Sequence, residues 1–161
     1  MFRHAFAALT LAASILAINP ASAHDYTAGS LHIDHPWSRA TPPTANVGAG
    51  YMTIQNKGPE ADRLVGASTP AAQTVEIHFM EMANGVMKMR AVPEGLEIPA
   101  GGEAALAPGG YHFMLVGLEK PLTEGEKVPL ELQFEKAGTV SVELAVGPIG
   151  GGSGPSGHSG H

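Results

Sequence analysis

Histidine and methionine alternate along two stretches of this chain. Gln73 to Ala83 reads Q-T-V-E-I-H-F-M-E-M-A, and Val86 to Val92 follows after Asn84-Gly85. Asn-Gly is the strongest two-residue hairpin signal. If Ala83 pairs with Val86, then Met82 faces Met87, Met80 faces Met89 and His78 faces Ala91. Side chains alternate between the two faces of a strand. His78, Met80 and Met82 therefore share one face with Met87 and Met89, while Val75, Ile77 and Phe79 form an ordinary core stripe on the other. Tyr111 to Leu115 repeats the arrangement, with His112 and Met114 pointing one way and Tyr111, Phe113 and Leu115 the other. Two strands thus each present imidazole and thioether away from their bulkiest apolar face.

Thioether sulfur is a soft, neutral donor and imidazole a borderline one. Together they suit Cu(I) and discriminate against Mg, Ca and Mn, which prefer oxygen. Zinc sites use thiolate, imidazole or carboxylate, not thioether. Two His and two Met can close a roughly tetrahedral site without charge and without losing a proton. Such a site holds its metal less tightly than thiolates do, which suits a protein that gives the metal away. Any one of these residues alone means little, since Met on a strand is most often a core gap-filler. The spacing carries more: ten residues separate His78 from Met89, twenty-two separate Met89 from His112, and one separates His112 from Met114.

In that spacing the chain resembles the periplasmic copper chaperones of the PCu(A)C type, whose signature is H(M)-x10-M-x21-H-x-M. The middle interval is one residue longer here, in a Pro/Gly-rich turn region. The surrounding text is similar to the family as well: P-W-S-R-A-T-P at Pro36–Pro42, A-G-Y-M-T-I-Q-N at Ala49–Asn56, D-R-L-V-G-A at Asp62–Ala67, N-G-V-M-K-M-R at Asn84–Arg90, P-G-G-Y-H-F-M-L at Pro108–Leu115 and F-E-K-A-G at Phe134–Gly138. The resemblance implies a cupredoxin-like β-barrel that binds Cu(I) through His78, Met89, His112 and Met114. It also implies delivery of copper to the binuclear copper centre of a cytochrome c oxidase, directly or through a Sco-type partner. Met80, across from Met89, is then a spare donor that could replace a ligand during transfer or, the reading preferred here, shield the metal from water. Met82 and Met87, nearer the turn, form an exposed rim where an acceptor could dock.

The rest of the chain must position these side chains. It has 161 residues, 21 Gly and 13 Pro, which fits one domain of short strands and turns. Strands are expected at Ala49–Gln55, Gln73–Ala83, Val86–Val92 and Glu103–Ala107, then at Tyr111–Gly117, Lys127–Glu135 and Thr139–Val146. With no convincing helical segment, this regular spacing predicts an all-β Greek-key barrel or sandwich. Residues 1–23 read as a secretory signal peptide: a short basic start, an apolar run and Ala21-Ser22-Ala23 before the expected cut. The run is too short for a spanning helix. Residues 24–147 form the expected copper-binding domain, and 148–161 a flexible Gly/Ser/His tail. Export from a bacterial cytoplasm would place the mature protein in the periplasm, as a monomer without stable membrane insertion.

Absences narrow the function classes. There is no cysteine, which removes disulfides, thiolate metal sites, the blue-copper ligand and the attachment point of a lipoprotein's lipid. A formal charge of −6 argues against nucleic acid as a partner. No Ser/His/Asp arrangement or carboxylate pair supports an enzyme. Cleavage after Ala23 would set the His24 imidazole beside a free α-amine, a Cu(II) chelate to which His158 and His161 could add. A copper redox enzyme built on His24 would need His32 or His35 as a second imidazole. Those two read instead as surface or hydrogen-bonded residues, and Met52 as core. Copper buffering or tolerance without a dedicated acceptor shares the same site chemistry.

Overall fold

The computed structural model describes residues 25–151. The signal segment, His24, His158 and His161 lie outside them. Eleven strands follow in order: β1 Tyr26–Ala28, β2 Leu31–Arg39, β3 Val47–Asn56, β4 Asp62–Ser68, β5 Ala72–Ala83, β6 Val86–Ala91, β7 Leu96–Ile98, β8 Glu103–Leu106, β9 Tyr111–Leu118, β10 Lys127–Phe134 and β11 Gly138–Gly147. The seven expected strands are all present, shifted at their ends by at most two residues. No helix forms among the described residues, and none is long and apolar enough to cross a membrane.

The strands close into a mixed β-barrel of cupredoxin-like type. Going round, β5 pairs with β9, β9 with β3, β3 with β2, β2 with β11, β11 with β10, and β10 with β4. Ala67 on β4 then meets Val75 on β5 and completes the circuit. The β2–β11 and β8–β9 pairs are parallel, and the others are antiparallel. Strand β8 fits between β3 and β9, while β1, β6 and β7 extend the sheet at β2, β5 and β4.

Alternating apolar residues fill the interior. Val128, Leu130, Leu132 and Phe134 of β10 face inward with Val142, Leu144 and Val146 of β11, and Met52 and Ile54 of β3 join them, as expected for Met52. Each such side chain contributes about 1.5–3 kcal/mol on burial. Pro129 interrupts β10 before its pairing to β4 begins at Glu131, so its missing N–H leaves no gap in that ladder.

Strand β2 contains the irregularity that matters for the site. Asp34 pairs with Thr53, but the next pair is Trp37 with Tyr51. One extra residue is accommodated at His35, whose φ is 49°. A one-residue insertion reverses which face each later side chain takes. Ile33 points into the barrel, whereas Trp37 and Arg39 turn outward to join Tyr51.

Candidate metal centre

The Asn84-Gly85 turn sets the register of the β5–β6 hairpin. Both residues have positive φ, 52° and 73°, as a tight turn matched to strand twist requires. Ala83 pairs with Val86, Met82 with Met87, Met80 with Met89 and His78 with Ala91, the register expected from the sequence. On its other edge β5 meets β9, so that His78 lies opposite His112, and Glu76 opposite Met114. Met80, Met89, His78, His112, Met114 and Glu76 therefore sit on one face, outside the barrel core.

The two imidazoles are held in complementary orientations. Their ring centroids lie 5.9 Å apart. His112 Nδ1 is 3.0 Å from the carbonyl oxygen of Gly110. A carbonyl only accepts, so Nδ1 carries the proton and Nε2 keeps its lone pair. His78 Nε2 is 2.7 Å from Glu76 Oε2. The carboxylate likewise fixes the proton on Nε2 and leaves a lone pair on Nδ1. That Nδ1 is buried and has no hydrogen-bond partner. An unsatisfied buried polar atom costs about 1–3 kcal/mol, and a soft cation would supply its missing partner. Both rings thus have one nitrogen anchored by the protein and one free, the arrangement usual for metal-ligating histidine.

Burial grades across the pocket. His112 is 3% exposed, while Met89 on the outermost strand is 48% exposed. Met80 and Met114 are half-buried. His112 is buried because an aromatic group closes over the outer face beside it. Tyr51 and His112 have ring centroids 6.5 Å apart, and Trp37 stacks on Tyr51 at 4.5 Å. The Arg39 guanidinium lies 5.6 Å from the centre of each of these two rings and donates to the Gly151 carbonyl. Trp37 and Tyr51 are buried yet lie outside the barrel core cluster. Burial pushes the Tyr51 phenol upward, and Arg39 draws it partly back.

The structure brings the expected His and Met side chains to one face and sets Glu76, Tyr51, Trp37 and Arg39 beside them, four residues that were not among the candidates read from the sequence. The first was legible, since Glu76 shares the alternation of His78 and Met80. The others depend on the β2 bulge, which no spacing announces.

A second group of donors lies on β1 and β2. Asp25, His32 and Asp34 bring carboxylate oxygens and an imidazole nitrogen within 4.8 Å of one another. Its donors are already engaged: His32 Nε2 is 2.8 Å from Asp34 Oδ1, Gln55 donates to Asp34 Oδ2 at 2.6 Å, and Asp25 Oδ1 accepts from the His35 N–H. His32 is thus hydrogen-bonded and His35 exposed, as read from the sequence.

A closed, mixed β-barrel of this topology is a cupredoxin-like fold, here with imidazole and thioether side chains gathered on the outer face of β5, β6 and β9. A family model described as "Putative lipoprotein LpqE-like" matches residues 31–146. A curated relative from Leifsonia xyli subsp. xyli, "Putative lipoprotein Lxx21020", is 32% identical over 152 residues, which is 89% of this chain and 90% of its own length. Among solved structures, the "Copper-bound PCuAC domain from PmoF2" superposes with a TM-score of 0.67 at 30% identity, covering 78% of this chain and 98% of that one. The "Solution structure of CuI-DR1885 from Deinococcus Radiodurans" gives 0.58 at 34% identity, covering 79% and 83%. The chain belongs to the LpqE-like family, and its barrel is a PCuAC-type domain.

Proposed function

We propose that this protein is an exported copper chaperone, a binding and transfer protein rather than an enzyme. Its cargo is Cu(I), held by His78, Met89, His112 and Met114, with Met80 covering the ion. The observation that carries this reading is the buried, unpartnered His78 Nδ1 beside His112, whose own Nδ1 is already tied to Gly110. The similar PmoF2 and Deinococcus structures, copper-bound and CuI respectively, support the choice of metal. Donor chemistry supports it independently, because neutral thioether and imidazole favour the reduced ion. Release is ligand exchange: copper keeps its oxidation state and an acceptor's donors replace neutral ones.

Residues 1–23 act as the cleaved leader, 24–147 as the copper domain and 148–161 as a tail. Export to the periplasm agrees with relatives described as lipoproteins, although this chain has no cysteine to carry a lipid. The acceptor is the copper-centre subunit of cytochrome c oxidase or a Sco-type protein, met by the protein as a monomer.

Anaerobic titration of the mature protein with Cu(I) against a competing chelator tests the site. The expected result is one Cu(I) per chain at the tight site, with affinity lost in the Met89→Ala, His112→Ala double variant. Unaltered affinity in that variant overturns the ligand set. Deleting the gene in its host and measuring oxidase activity with and without added copper tests delivery. A deficit rescued by copper supports delivery, and wild-type activity in copper-poor medium points to buffering.

A further inference from the structure

The β5–β6 hairpin carries more sulfur than a four-donor pocket uses. Met82 and Met87 form a directly opposed pair one step beyond Met80 and Met89, on the same face. They are 65% and 61% exposed. Backbone bonding fixes how closely each pair approaches. Val92 N–H donates to Ile77 O at 2.8 Å, and Met80 N–H donates to Gly110 O at 3.1 Å. Odd-numbered residues of β5 therefore bond toward β6 and even-numbered ones toward β9. Met80–Met89 and Met82–Met87 are consequently non-hydrogen-bonded pairs, the kind whose α-carbons approach to about 4.5 Å with side chains closest together. The turn beneath them is tight and its register fixed, so the pairing is built into the strand geometry.

We propose that Met82 and Met87 form a second, outer Cu(I) site, with Met80, which covers the ion in the inner pocket, as the donor that carries it from one to the other. The proposal rests on the inner-site reading above. Three features support it. The two thioethers stand on directly paired positions of adjacent strands, so rotation of the side chains alone can bring both onto one ion. Thioether is a donor for soft ions and ignores the hard cations abundant outside a cell. Met80 lies between the two sites, so an ion can exchange Met89 and the imidazoles for Met87 and Met82 while never losing all its sulfur donors. The steps are ligand exchanges only, with no change in oxidation state. Exposure then makes the outer pair the place where an acceptor's donors first reach the ion.

The alternative is that these methionines are merely an apolar rim. Leucine separates the two, because it keeps the apolar area and removes the sulfur. The test uses mature protein with 13C-labelled methionine methyl groups, titrated anaerobically with Cu(I). The first equivalent is expected to shift Met89 and Met114, and the second to shift Met82 and Met87. In the Met82→Leu, Met87→Leu variant the first equivalent should bind as before, while transfer to a thiolate chelator slows several-fold. Methyl signals of Met82 and Met87 that stay put through excess Cu(I), or a double variant that transfers at the wild-type rate, overturn the outer site. Absence of any shift at Met89 and Met114 instead overturns the inner site, so the two failures are distinct.

Discussion

Glu76 Oε2 stands 2.7 Å from His78 Nε2, and the other nitrogen of the same ring is buried without a partner. The carboxylate half-exposed on β5 therefore sets which nitrogen of His78 is free to bind. A ring anchored in this way is also held in one orientation, so that its free nitrogen is presented in a fixed direction. Replacing Glu76 with Gln removes the charge and with Ala removes the anchor. Loss of such an outer partner typically costs about 10–100-fold in metal affinity. Competition titration with Cu(I) should place Glu76→Gln at the low end of that range and Glu76→Ala at the high end, with circular dichroism unchanged. Equal affinities in all three proteins would show that His78 is not a ligand.

Metal binding should also report itself as stability. A ligand that binds only the folded state adds about 2.7 kcal/mol when its free concentration is 100 times its dissociation constant. Urea unfolding with buffered Cu(I) should show that gain in the parent protein and lose it in His78→Ala, Met114→Ala. An increment of the same size in the parent protein and the double variant would place the ion on other donors.

Trp37 offers an optical handle, being the single tryptophan of the chain. It stacks on Tyr51, which in turn borders His112. Cu(I) at His112 should change Trp37 emission with a single-site profile that saturates at one equivalent. Arg39→Ala would open the outer face by removing the guanidinium over both rings. It should red-shift the apo emission and weaken the pocket modestly. Emission indifferent to copper in a protein that demonstrably binds it would place the ion elsewhere.

The sequence announced the hairpin because Asn-Gly demands one turn type and so fixes every pair above it, from Ala83–Val86 to His78–Ala91. It announced the β9 face by simple alternation. What it did not announce depends on tertiary pairing. The approach of His78 to His112 requires β5 and β9 to be neighbours, although thirty-three residues separate the two side chains. Strand β2 was hidden for a physical reason: Pro36 and the bulge at His35 break its period, so Leu31, Ile33 and Trp37 do not read as one stripe. The same bulge sends Trp37 outward, and with it the aromatic cover over His112. Short strands such as β1 and β7, three residues each, carry too few alternations to register.

Tyr51 links that cover to alkaline stability. Desolvation raises its phenol above the ordinary value of 10.0, and Arg39 opposes the rise only in part. The folded state therefore holds this proton more tightly than the unfolded chain does. Stability from that difference is complete below the unfolded pKa. It falls as pH climbs through the folded one, because the unfolded chain then binds fewer protons. Urea midpoints measured from neutral pH to about pH 11 should decline at the alkaline end in the parent protein, and Tyr51→Phe should flatten part of that decline. Since Tyr51 is 6% exposed and its ring borders His112, the same variant should bind Cu(I) normally at neutral pH, where the phenol is neutral in any case. A phenylalanine variant with an undiminished alkaline decline would mean that the buried phenol is not the group responsible.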